Sequence, residues 1–244
     1  MKIKSSDIGK LKKYLIYAAG EIVLVVIGIL IALQLNSWHS YNQDRAIEKE
    51  YLSRIAADLK VDTASIVQMI LIAKEKQKSL EFILPYLKNE FQDIKDTILF
   101  INTVVKSTML GWAQYEITTG TLDELRNTGN LNLIQNVRLR SEISKYYNNG
   151  ESEKQRIEKR RGNYPQEIYR LIPRSSDEDS WEFAYRNDFY SNTEIIDSIR
   201  HSNLTASIIG ELNLANFISI RLKSILEDSK SLLKEIENEI ENKI

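Results

Sequence analysis

Residues 14–35 read YLIYAAGEIVLVVIGILIALQL, an apolar run with a single carboxylate, Glu21, inside it. Twenty-two residues at helical rise cover roughly 33 Å, against roughly 30 Å of bilayer hydrocarbon. A span starting after Glu21 would measure only about 21 Å, so the turn that holds Glu21 has to enter or border the membrane. Tyr14 and Tyr17 before the run, and Trp38 and Tyr41 after it, stand where the two interfacial aromatic belts belong. The expected span is 14–38.

Charge gives the span a direction. Residues 1–13 carry Lys2, Lys4, Lys10, Lys12 and Lys13 against Asp7, a net of +4, in a chain whose total is -1. The positive-inside rule then puts residues 1–13 in the cytoplasm as a short basic tail, with residues 39–244 on the outside. The small residues Ala18, Ala19 and Gly20 precede the run, and QLNSWHS follows it without an Ala-x-Ala site. That order fits an uncleaved signal anchor better than a cleaved signal peptide. The expected location is the bacterial inner membrane, single-pass, with the main domain periplasmic or otherwise extracytoplasmic.

Two readings of Glu21 stand side by side. In one, it lies a turn inside the Tyr17 belt and snorkels to the cytoplasmic interface. In the other, spacings of four, three, four and three put Glu21, Val25, Gly28, Ala32 and Leu35 on one helix face. Gly28 and Ala32 form a small-xxx-small pair that lets a second helix approach closely. Glu21 on that seam could meet a polar or cationic group of a partner span.

Composition narrows the rest. The 231 residues after the tail share a net charge of -5, which argues against nucleic acid as a partner. Cysteine is absent, so neither disulfides nor thiolate metal sites are available. With 3 prolines and 9 glycines in 244 residues, long helices are favoured over a turn-rich β architecture. The predicted fold is all-α, a single N-terminal transmembrane helix followed by an elongated extracytoplasmic helical bundle.

The periodicity supports it. Leu52, Ala56, Leu59, Ile66, Ile70, Ala73, Leu80 and Leu84 follow threes, fours and sevens, a helix leaving the membrane and ending near Pro85. Phe91, Ile94, Ile98, Ile101, Val105 and Thr108 predict a second helix, stopping near Gly111 and folding back as a hairpin. Thr121 and Glu124 have capping-box spacing, Gly129 suits a helix stop, and Asn136 suits the cap of the next helix. That helix carries Leu139, Ile143 and Tyr146 or Tyr147 on one face, and Asn148-Asn149-Gly150 should break or bend it. Residues 151–161 predict a charged, solvated helix, and Pro165 predicts the first turn of a short one, ended by Pro173. Residues 174–180 read as a polar loop. A short helix over 194–200 would be capped by Asn192 or Thr193. From Leu204, or after Gly210, the stripe Leu214, Ile218, Leu222, Ile225, Ser229, Leu232, Ile236 and Ile240 keeps a heptad pattern that should pack on the first helix. The short elements of 112–200 would then sit at the far end.

No catalytic constellation emerges. His39 and His201 are the only histidines and have no patterned carboxylate partners. Asp177-Glu178-Asp179 lacks the Gly and bidentate Glu of a calcium loop. No phosphate loop, nucleophile elbow or HExxH is present. Lys154, Arg156, Lys159, Arg160 and Arg161 are interleaved with Glu151, Glu153 and Glu158, as on a solvated helix face. Trp112, Tyr115, Trp181, Tyr185 and Tyr190 could cluster as a partner surface if left exposed.

The strings AAGEIVLVVIGILIALQLNSW and TLDELRNTGNLNLIQNVRLRSEISKYYN carry a resemblance. The chain resembles a family of bacterial membrane proteins of unknown function with a Gly-Glu-Ile-x-Leu-Val-Val-Ile-Gly-Ile-Leu-Ile-Ala-x-Gln span signature. The family's mid-chain Leu-x-x-x-Gly-x-Leu-x-Leu-Ile motif is matched by Leu125, Gly129, Leu131, Leu133 and Ile134. Asn36-Ser37-Trp38-His39 stands where that family often has Asn-Asn-Trp-Asn. The resemblance implies a membrane anchor with a helical outer domain, and supplies no activity.

The leading functional expectation is a non-enzymatic, membrane-anchored scaffold or interaction module without cofactor or metal. Its partners would be the lipid bilayer and a protein, or a second copy bound through the span and the terminal helices as a homo-oligomer. The alternatives are an accessory stator-like subunit of an ion-driven complex using Glu21, and a ligand-sensing bundle that signals through a partner.

Overall fold

In a computed structural model of the chain, the residues described are 5–88, 93–108, 116–172 and 190–243, with side chains over 17–87, 93–108, 116–172 and 190–242. Every regular element among them is helical. The helices are α1 (Ser5–Lys88), α2 (Thr97–Lys106), α3 (Gly120–Asn127), a 3-10 turn (Asn130–Leu133), α4 (Val137–Glu158), α5 (Tyr164–Leu171), α6 (Asn192–His201) and α7 (Leu204–Lys243). The chain divides into two compact units. One is Met1–Tyr51 with Ile244, and the other is Leu52–Lys243.

In the first unit the described structure is α1. Every described residue from 17 to 44 is exposed, including Ile22 (64 %) and Leu24 (73 %). Burial begins only at its end, where the Glu48 carboxylate is enclosed and salt-bridged to Arg45, one turn earlier.

The second unit is a layered bundle framed by α1 and α7. They run antiparallel, since Lys60 meets Glu237 (2.9 Å), Thr63 meets Ser229 (3.0 Å) and Lys76 meets Glu211. The stripe predicted on α7 is buried from Leu214 to Ile236, because heptad spacing keeps those residues on the inner face. α4 lies antiparallel along the C-terminal half of α7: Asn136 binds Glu239 (2.7 Å), Arg138 approaches Glu235 (3.8 Å) and Arg221 approaches Glu153 (3.6 Å). At the other end, α2 folds back on α1 as the hairpin reading expects, with Phe100 edge-on to Tyr86 and Lys106 bound to Glu75 (3.1 Å). A core of Leu80, Ile83, Phe100, Ile101, Tyr164, Ile168, Ile195, Ile199, Leu204 and Ile208 joins these elements to α5 and α6.

Several local expectations are corrected. α1 continues through Pro85 to Lys88. α2 starts at Thr97, where Asp96 accepts from the Leu99 N–H (2.9 Å), and Asp93 ahead of it takes a positive φ of 66°. Ile98 is therefore exposed, and Phe100 and Val104 take the inner positions. The capping box at 121–124 does not form: α3 begins one residue earlier, the Thr121 hydroxyl donates to Asp58 (2.6 Å) and Glu124 binds Arg54. Long-range partners on α1 outcompete the local cap. Asn148-Asn149-Gly150 lies mid-helix, where Gly150 is buried and two asparagines are exposed. α6 is capped by Ser191, which forms the reciprocal box with Glu194. His201 belongs to the last turn of α6, one residue beyond the short helix expected over 194–200.

The short elements are not gathered at one end. α3 sits beside residues 54–62 of α1, and α4 beside 221–239 of α7, while α2, α5 and α6 occupy the opposite half. Other expectations hold. Gly129 takes the left-handed conformation (φ 74°) just after α3, where a Cβ would be strained. Asn136 caps α4 by accepting from the Leu139 N–H (3.2 Å), and Pro165 occupies the first turn of α5. Phe91, Gly111, Pro173 and the 174–180 loop lie outside the described residues.

Candidate functional site

The span face predicted from spacing lies on a regular helix, and Glu21, Val25, Gly28 and Ala32 are all exposed. A Cβ built on Gly28 would meet nothing within 4 Å. Of the aromatic set, Tyr190 is half exposed (51 %), immediately before the Ser191 cap. Trp112, Tyr115, Trp181 and Tyr185 lie outside the described residues.

The basic cluster of 154–161 is largely spent on structure. Lys154 approaches Glu116 (3.6 Å) and Arg156 binds Glu153 (3.1 Å). Arg160 stacks 3.9 Å over the Phe217 ring. His39 is exposed, and Nδ1 of His201 shares a hydrogen bond with the Asp197 carbonyl (2.7 Å). Among the described residues no three His, Cys, Asp or Glu side chains come together as a metal set.

Two polar layers inside the bundle escape the sequence reading. In the first, Asp62 (2 % exposed) accepts from the Thr118 N–H (2.9 Å), the Thr118 hydroxyl (2.8 Å) and the Tyr146 hydroxyl (3.1 Å). Burial nevertheless pushes its pKa above the ordinary carboxylate value, and the three donors offset that only in part. In the second layer, Lys76 (2 % exposed) is ion-paired to Glu211 (4 %). The ammonium lies 5.9 Å from the centre of the Tyr164 ring, whose hydroxyl shares a 2.6 Å hydrogen bond with Ser107. Burial pushes Lys76 down, and Glu211 opposes the shift. Both layers have a sequence signal. The stripe on α1 steps by seven from Leu59 to Ile66 and from Ala73 to Leu80. Asp62 and Lys76 occupy the core position skipped in each step.

A polar groove of about 480 Å³ runs between the start of α4 and the end of α7, lined by Asn136, Arg138, Glu235, Asn238 and Asn242. It is open, and its side chains are largely paired across the two helices. This differs from the enclosed, convergent pocket that small-molecule recognition calls for.

A family model described as a family of unknown function (DUF6090) matches residues 21–158, from Glu21 through the end of α4. No curated protein and no solved structure matches the chain.

Proposed function

The chain belongs to the DUF6090 family of unknown function, and on that footing we propose that it is a membrane-anchored, non-enzymatic helical module that holds a protein partner, or a second copy of itself, outside the cytoplasm. Residues 14–38 cross the bacterial cytoplasmic membrane once, residues 1–13 stay inside, and residues 39–244 form the extracytoplasmic part. The observation that carries this reading is the exposure of the apolar segment over its described side chains, 17–35. The helix from Tyr17 onward is long and apolar enough to cross a bilayer, and none of its most apolar window is buried by the chain. A continuous exposed apolar surface of this size marks a membrane or protein contact. Lysine asymmetry supports the direction.

The partner role rests on what the bundle spends its residues on. Many of its polar groups pair one helix with another, whereas Glu21, Val25, Gly28 and Ala32 keep a face open in the span. Two experiments test the two halves separately. Alkaline carbonate extraction of membranes should leave the chain in the pellet, and its release into the supernatant would refute the anchor. Gly28→Cys, in a chain that has no other cysteine, should form a disulfide-linked dimer or a crosslink to a partner on mild oxidation. A strictly monomeric product, with Phe-scanned neighbours equally silent, would refute the seam.

A further inference from the structure

The Asp62 layer has two features that its own hydrogen bonds leave unexplained. First, the three donors to this buried carboxylate are neutral, among the described residues no cation is ion-paired to it, and Asp58, of the same sign and one turn earlier on α1, acts on it. Buried charges are as a rule paired with an opposite charge or bound to a cation. Second, Tyr147 is 3 % exposed and its hydroxyl has no hydrogen-bond partner among the described residues. That hydroxyl lies in the negative field of Asp58, Asp62 and Asp123, in that order of strength. Tyr146, whose ring stands edge-on 5.3 Å from Tyr147, already donates to Asp62.

We propose that Asp58, Asp62 and Tyr147 form a binding site for a hard inorganic cation. The chemistry follows from the atoms available. Carboxylate and hydroxyl oxygens are the donors that such ions select, and the two aspartates supply the charge. Asp58 and Asp62 are four residues apart on a helix and therefore share a face. Asp58 gives one oxygen to the Thr121 hydroxyl and is only part-buried, which leaves a route from solvent. Tyr147 brings lone pairs from α4, so an ion held here would tie α1 to α4. Arg126 is a cation acting on the Tyr147 hydroxyl, and it donates to the Asn148 side chain (3.5 Å). Two carboxylates and a hydroxyl make a sparse set with water completing the shell, so the affinity belongs to the weak class, with Kd on the order of 10⁻⁴–10⁻³ M.

The test uses the full chain in mild detergent, treated with chelator and then melted with CaCl2, MgCl2 or NaCl at ionic strength held constant with choline chloride. At least one of the three should raise Tm saturably in the millimolar range, by a few degrees over choline chloride. The rise should vanish in Asp62→Asn, which can keep the hydrogen bonds to Thr118 and Tyr146, and in Tyr147→Phe, which removes one oxygen. Two results would overturn the site: equal melting in all four salts, or a cation-specific rise that persists in either variant. Either would leave a proton or water as the occupant.

Discussion

The Lys76–Glu211 pair offers the sharpest energetic test of the bundle. Both side chains are almost wholly enclosed, at 2 % and 4 % exposure, and Lys76 Nζ is the partner of Glu211 Oε2. Removing one member of such a pair strands a charge and costs about 3–5 kcal/mol, whereas replacing both with apolar groups of similar volume is neutral or stabilising by about 1–4 kcal/mol. For a unit of this size each kcal/mol is worth roughly 2–4 °C in Tm. Lys76→Met or Glu211→Leu alone should therefore lower Tm by roughly 6–20 °C, and the double variant should melt within a few degrees of the parent or above it. The assay is thermal and urea unfolding of the full chain in detergent, followed by circular dichroism. The alkaline limb adds a check of the cause. Burial holds Lys76 below its unfolded value of 10.5, so between the two values the unfolded chain binds more protons and stability rises with pH. Glu211→Leu deepens the shift, so its deficit should narrow as pH climbs towards 10.5. Single variants within about 1 kcal/mol of the parent would show that the pair is solvated, and a double variant as damaged as the two singles summed would show that the site tolerates no apolar replacement.

Other outcomes follow from the same geometry. Asp62 has a raised folded pKa, so the folded chain binds a proton between 3.8 and that value, and its contribution to stability falls as pH rises through this window. In cation-free buffer Asp62→Asn should flatten that slope and match or exceed the parent's stability at neutral pH, as read from Tm against pH. Gly129→Ala puts a Cβ at φ 74° and should cost about 1 kcal/mol or somewhat more by urea unfolding. Ser191→Ala removes the reciprocal cap of α6 and should cost about 1 kcal/mol, read as local hydrogen-exchange deprotection of 192–201. Thr121→Val should cost more than an ordinary cap loss, because it leaves a part-buried Asp58 oxygen without its donor.

What was legible in the chain was whatever depended on period. The stripes of α1 and α7 set two long helices expected to pack on each other, and the structure pairs them antiparallel. Gly129, Asn136 and Pro165 each declare a local conformation and take it. The errors occur where a side chain had a stronger long-range partner than its local one. Thr121 and Glu124 spell a capping box but are drawn to Asp58 and Arg54 on α1. Asn148 to Gly150 spell a turn, yet α4 runs through them packed along α7, with Tyr146, Tyr147 and Gly150 buried. The buried ionic layers were hidden by the stripe itself: a step of seven reads as a complete pattern until one asks what fills the skipped position. Nothing in Asp62 or Lys76 alone distinguishes a core charge from a surface one.

We propose that one apolar helix separates an inner tail from an outer bundle, and the chain's lack of cysteine makes that separation directly measurable. Single cysteines placed at Ser5 and at the exposed Glu151 would be treated, in intact cells, with a membrane-impermeant maleimide. Labelling of Glu151→Cys in intact cells, with Ser5→Cys labelled only after lysis, is the predicted result. Equal labelling of both before lysis, or protection of Glu151→Cys, would contradict the account.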